Sequence, residues 1–158
     1  MRTNPFLFAA LLALAACGGK KTADTTPAPG TDTVGTEMKA PLYDRLGKTE
    51  GITKVVELFV TNVGNNKEIN ARFAKSDLKL LKEKLVLQIC EATGGPCKYE
   101  GVHKDMKTTH TGMKITEAEF TSMVNDLVAA LNTAGVPKPE QDELLGALSK
   151  MKPDIVGI

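Results

Sequence analysis

The chain has 158 residues, with 20 Lys and Arg against 19 Asp and Glu, for a net charge of +1. So even a balance gives no general attraction to a nucleic-acid backbone. With no Trp, 2 Tyr and 5 Phe, it also offers no aromatic platform for stacking bases. Its 2 His and 3 Cys supply no second Cys pair or Cys-His cluster for a structural zinc site.

The first element in chain order is a secretory signal. Met1-Arg2 gives a positive start, an apolar run extends from Pro5 to Ala16, and small residues precede Cys17. The run falls short of the roughly 20 residues that a permanent membrane span needs. Leu14-Ala15-Ala16-Cys17 resembles the lipobox of bacterial lipoproteins. That resemblance implies cleavage before Cys17, lipid on Cys17, and a membrane-anchored protein on the periplasmic or extracytoplasmic side. Gly18 stands where many lipoproteins retained at the inner membrane carry Asp, which favours the outer membrane. Residues 1–16 are thus expected to be the signal peptide and 17–40 a lipidated flexible tether. Thr, Pro, Gly, Ala and Asp dominate from Gly18 to Ala40, with too little apolar bulk to offset the entropy of ordering. As a coil, that segment would span roughly 25–30 Å on average.

Residues 41–158 amount to one domain with a modest core. Every strong pattern in it has a helical period. Ile52, Val55, Val56, Phe59, Val60 and Val63 recur at steps of three and four, predicting a helix capped by Thr49 and stopped at Gly64-Asn65-Asn66. A short piece follows around Ile69–Phe73. Ser76-Asp77 opens a longer helix with Leu78, Leu81, Leu85, Ile89 and Ala92 along one stripe, ending at Thr93-Gly94-Gly95-Pro96. Cys90 lies late in this helix and Cys97 in the loop after it; the sequence leaves open whether they are bridged.

After an irregular stretch, a short helix reaches His110. Thr116-Glu117-Ala118-Glu119 reads as a capping box. The helix that it opens carries Phe120, Met123, Val124, Leu127, Val128 and Leu131, and ends at Ala134-Gly135. Pro137 and Pro139 bracket the start of a last helix with Leu144, Leu145, Leu148 and Met151. No period-two strand stands out, so the domain reads as all-α. The last two helices are expected to pair as an antiparallel hairpin.

Few chemistries fit this pattern. There is no Gly-x-Ser-x-Gly elbow, no phosphate-binding glycine loop and no His-Glu-x-x-His pair, and the carboxylates are scattered over solvent faces. What remains is haem iron held by one imidazole between facing helices. The ordered set Leu42-Tyr43-Asp44-Arg45-Leu46-Gly47, Ala71-Arg72-Phe73, Gly94-Gly95-Pro96…Tyr99…Gly101, Met106-Lys107-Thr108-Thr109-His110, Gly112-Met113, Ile115-Thr116…Phe120 and Ala134-Gly135-Val136-Pro137 covers the domain almost end to end. In this order and at these spacings, residues 41–158 resemble a group I truncated haemoglobin. The resemblance implies a two-over-two helical sandwich binding haem b and a small diatomic ligand. It makes His110 the proximal iron ligand and Phe73 the aromatic stacked on the haem face. Phe59, Leu81, Lys84, Leu85, Tyr99, Met106 and Ile115 complete the expected cofactor contacts, and Arg72 replaces an aromatic common in the family.

The distal side departs from the family pattern. Many members carry a Tyr late in the first long helix and a Gln midway along the next; the matching positions here are Val60 and Leu85. A bound oxygen with negative character would lose charge-assisted hydrogen bonds worth about 1.5–3 kcal/mol each. Lys84 and Gln88 lie at the edge of that stripe. Lys84 is expected either to pair with a haem propionate or to bind the iron as a sixth ligand, as the equivalent lysine does in some members. The connection Gly101–Met106 is about two residues longer than usual and carries His103, an exposed loop histidine or an alternative ligand. The leading expectation is a reversible binder of dioxygen or nitric oxide. The alternatives are a haem enzyme consuming nitric oxide or peroxide, an electron-transfer haem protein, and a haem-free helical lipoprotein. The redox partner is not legible.

Overall fold

The computed structural model describes residues 39–100 and 105–158. The expected signal peptide, Cys17, most of the tether and His103 lie outside the described residues. Helices run in the order α1 (Leu42–Arg45), α2 (Lys48–Asn65), α3 (Asn70–Phe73), α4 (Leu78–Ala92), α5 (Met106–His110), α6 (Glu117–Ala134) and α7 (Lys138–Ser149), followed by a 3-10 turn at Lys152–Asp154. No strand element forms among the described residues, and none of their helices is long and apolar enough to cross a membrane.

Helix α2 is the centre of the domain. Its periodic residues Ile52, Val55, Val56, Phe59, Val60 and Val63 are all buried. Each such burial contributes about 1.5–3 kcal/mol relative to exposure. The predicted cap at Thr49 is not used. Helix α2 begins two residues earlier, after Gly47, and the Thr49 hydroxyl instead pairs with the Tyr43 hydroxyl at 2.9 Å. The cause is the abrupt corner between α1 and α2, which Gly47 turns with φ 82°.

Helix α2 packs chiefly against α6 and then against α4. Polar ties fix the first of these pairings. Asn62 donates to the Asp126 carbonyl at 3.0 Å, and Asn66 donates to Ser122 at 2.9 Å and to the Asp126 carboxylate at 2.8 Å. In the expected α6–α7 hairpin, buried Gln141 of α7 donates to the Asn132 side-chain carbonyl of α6 at 2.9 Å and to the Val136 carbonyl at 2.8 Å, and α7 also packs against α1. Arg45 of α1 donates to Glu140 of α7 at 2.7 Å and also to Glu143. Gly135, with φ 78°, ends α6 in the left-handed conformation that glycine adopts most readily.

The other two predicted caps form. Asp77 accepts from the amides of Lys79 at 2.9 Å and Leu80 at 3.1 Å. Thr116 accepts from the Glu119 amide at 3.2 Å, while the Glu119 carboxylate accepts from the Thr116 amide at 2.8 Å.

The stripe on α4 is only partly sealed. Ile89 and Cys90 are buried, but Leu78 is 50% exposed and Ala92 faces solvent. Thr93 takes the buried place expected of Ala92, satisfying its hydroxyl on the Ile89 carbonyl at 2.6 Å. Cys90 and Cys97 are joined by a disulfide with a Cα–Cα separation of 5.8 Å. It draws the loop after α4 back onto the helix. Gly95 is required there, because a Cβ would stand 2.6 Å from both Cys90 Sγ and Tyr43 Cδ2.

Candidate functional site

His110 ends α5, a single turn of helix that needs outside help to form. Asp105 provides it, accepting from the Thr108 amide at 2.7 Å and the Thr108 hydroxyl at 3.0 Å. These bonds to the ionised form, with Lys107 nearby, hold the Asp105 carboxyl below its ordinary range. The chain on the far side of His110 is held by the C-terminal segment. Lys114 N–H donates to the Ile158 carbonyl at 3.0 Å, and Gly157 N–H donates to the Ile115 carbonyl at 2.9 Å.

The His110 ring is half-buried, and its Nδ1 lies 2.8 Å from the Met106 carbonyl. A carbonyl only accepts, so Nδ1 carries the proton and donates. That tautomer leaves the Nε2 lone pair free for a metal.

The ring borders a cavity of about 420 Å³. Phe59 of α2, Leu85, Gln88 and Ile89 of α4, and Met106 of α5 form part of its wall. Phe120, Met123, Val124 and Leu127 of α6 and Leu145 and Leu148 of α7 complete most of the rest. Leu85, half-buried on the same stripe, packs against the core and lines this cavity. Gln88, the one amide side chain in this wall, donates toward the sulfurs of Met106 at 3.4 Å and Met151 at 3.3 Å.

His110, Met106, Leu85 and Phe59 are therefore brought to one cavity, while the other expected contacts lie elsewhere in this structure. Phe73 ends α3 and packs on the core, Leu81 is half-buried outside the cavity wall, and Ile115 bridges to Val156. Tyr99 borders a neighbouring cavity of about 240 Å³ beside Gln88 and Met106, and partial burial raises its phenol pKa. Lys84 donates its ammonium to the Glu100 carbonyl. Val60 is buried in the core. Several wall residues, including Phe120, Leu127 and Leu148, read in the sequence only as packing stripes. Lys152 and Ile155 carried no signal at all, because the turn that brings them to the cavity follows the last periodic segment.

Among the described residues, no three His, Cys, Asp or Glu side chains gather closely enough to hold a bare metal ion. A single imidazole at an apolar cavity suits an ion already chelated in a flat apolar macrocycle, and the volume lies within the range of cofactor sites.

Residues 41–156 match the bacterial-like globin family. The group 1 truncated haemoglobin GlbN of Mycolicibacterium paratuberculosis is 36% identical over 116 residues, covering 73% of this chain and 84% of its own. The chain belongs to the group 1 truncated haemoglobins. A second truncated haemoglobin of this group, from Chlamydomonas moewusii, is 26% identical over 138 residues, covering 85% of this globin and 75% of its own length. The fold agrees as well. The Fe(III) truncated haemoglobin of Tetrahymena pyriformis superposes with a TM-score of 0.71 at 24% identity, covering 75% of this globin and 99% of that chain.

Proposed function

We propose that this globin holds haem b through His110 and reversibly binds a diatomic ligand, dioxygen or nitric oxide. The observation that carries the reading is the His110 ring at the wall of an apolar cavity, with Nδ1 committed to the Met106 carbonyl at 2.8 Å. Haem, when bound, supplies the iron on which a diatomic gas is held. The residues of the chain do the rest. His110 presents Nε2 as the proximal ligand, and its hydrogen bond to Met106 sets the ring's orientation and basicity. Leu85, Met106 and Phe59 would exclude water from the cofactor faces. Leu85 and Val60 can donate no hydrogen bond, so a bound dioxygen would be held less firmly and the iron would oxidise more readily. Lys84 is assigned as the candidate sixth ligand.

The fold supports this reading through the family to which it belongs; an enzyme turning over nitric oxide or peroxide needs polarising donors at the distal positions, and neither Val60 nor Leu85 supplies one. The test is the ferric and ferrous absorption spectrum. His110→Gly should lose haem and regain it with added imidazole. Retention of haem by His110→Gly without imidazole, with loss in His103→Ala, would overturn the assignment.

The N-terminal reading is part of the same proposal. Cleavage before Cys17 and lipidation there would hang the globin from a membrane facing the periplasm or exterior, the outer membrane being favoured by Gly18. Intact-mass measurement on the exported protein, beside Cys17→Ser, checks this. A mature chain without added lipid mass sinks it.

A further inference from the structure

The loop after α4 links two features that the ligand-binding role leaves unexplained: a disulfide, and a lysine docked on a backbone carbonyl. Cys90 is fully buried, one residue from Ile89 in the cavity wall, whereas Cys97 is partly exposed. Beyond Cys97, the loop carries Glu100, whose carbonyl accepts from Lys84. Lys84 lies beside Leu85 and one turn from Gln88, both of which line the cavity.

Besides the disulfide, residues 98–100 meet α4 through the Lys84–Glu100 bond, through Tyr99, half-buried beside Gln88 and Ala92, and through Glu91. Tyr99 N–H donates to Glu91 at 2.9 Å, and Lys98 pairs with Glu91 at 3.6 Å, with side chains 83% and 42% exposed. Pairs this exposed restrain a loop weakly. The disulfide is the one covalent tie among these described contacts between the loop that carries Glu100 and α4.

We propose that Cys90–Cys97 is a site of thiol–disulfide exchange with a dithiol, and that its state decides whether Lys84 stays on the Glu100 carbonyl or is free to enter the cavity. The second half rests on reading the cavity as a haem pocket. One thiolate of the dithiol attacks Cys97 Sγ, the sulfur of the less buried cysteine. The Cys90–Cys97 bond breaks, and its electron pair goes to Cys90 Sγ, which takes up a proton. The second thiol of the reductant then attacks its own sulfur in the mixed disulfide and releases Cys97 as a thiol. Two electrons pass to the protein, and the reductant leaves as a cyclic disulfide. The loop end, with Glu100, is then no longer tied to α4.

The test uses the full chain in two states. In haem-free protein, dithiothreitol should accelerate amide hydrogen exchange at least tenfold (an order-of-magnitude threshold) over 93–100 and leave 106–110 unchanged. In haem-loaded ferric protein, Cys97→Ser should shift the spectrum toward six-coordinate low-spin iron, and adding Lys84→Ala should abolish that shift. Unchanged exchange over 93–100 overturns the exchange site. A missing spectral shift, or one that survives Lys84→Ala, overturns the role of Lys84. Failure to bind haem at all would sink the haem reading and the Lys84 half with it, while the haem-free exchange experiment still decides the disulfide half by itself.

Discussion

Arg72 and Glu119 form a two-pronged ion pair, Nε to Oε1 at 2.7 Å and Nη2 to Oε2 at 2.9 Å, that ties the short helix α3 to the start of α6. The third prong of the guanidinium donates to the Met113 carbonyl at 2.7 Å, three residues past His110. Glu119 is also the carboxylate of the capping box. One pair therefore closes the turn that leaves the histidine.

This pair makes stability depend on acid. The Arg72 guanidinium, followed by the amide and hydroxyl of Thr116, lowers the Glu119 carboxyl from 4.5 to about 2. A carboxylate whose folded pKa is depressed stabilises the fold fully above its unfolded pKa and loses that contribution as pH falls through the folded one. The pair is partly exposed, at 42% and 22%, so screening reduces the effect. Melting temperature should fall between pH 4.5 and 2 in the native chain, and less steeply in Glu119→Gln. Parallel curves for the two proteins would show that Glu119 is not responsible.

Leu131 and Leu145 separate core from cavity wall. Leu131 is fully buried, whereas Leu145 is half-buried and borders the open cavity. Leu131→Ala should cost about 2–5 kcal/mol in denaturant unfolding, as expected for a cavity opened in a packed core. Leu145→Ala should cost less, since its cavity face has few partner atoms to lose. Equal costs would mean that the cavity is closed in solution.

At Gly95 the constraint is space. An added Cβ would stand 2.6 Å from Cys90 Sγ and from Tyr43 Cδ2, and 2.8 Å from the Cys90 carbonyl. Gly95→Ala should cost about 1–3 kcal/mol, typical of overpacking, and should slow formation of the disulfide on refolding. Gly146→Ala, with nothing within 4 Å of its Cβ, is the control and should be neutral or mildly stabilising.

The C-terminal segment acts as a strap on the histidine helix. Removing 155–158 deletes the Ile158 carbonyl that accepts from Lys114 and the Gly157 amide that donates to Ile115. The core under α2 does not use these bonds, so the melting temperature should change little. Haem dissociation, followed by transfer to an acceptor apoprotein, should accelerate severalfold. Unchanged dissociation would show that α5 holds itself.

Much of this was legible in the chain because it depends on local physics. The α2 stripe from Ile52 to Val63, the Asp77 cap, the Thr116–Glu119 box and the Gly135 stop each need only spacing and side-chain chemistry, and each forms. Thr49 and Ala92 read wrongly for the same reason as one another. A cap or a buried stripe position depends on what the neighbouring segment does, and Gly47 and the disulfide-bound loop altered both ends. Of the site, Phe59, Leu85, Met106 and His110 were expected at one place and line one cavity. Lys84 and Tyr99 belong to contacts set by the loop after α4, which no periodicity describes.

The sequence by itself determined the long helices, the family and the identity of the one described histidine, because helical period, caps and motif order survive without knowledge of distant contacts. Only the tertiary structure decided that Nδ1 of His110 is committed to Met106, that Arg72 seals the turn behind it, and that Cys90 reaches Cys97 while Lys84 reaches Glu100. Those are meetings of side chains with partners in other segments, and their geometry is set by how α4, α5 and α6 pack around α2 and the cavity.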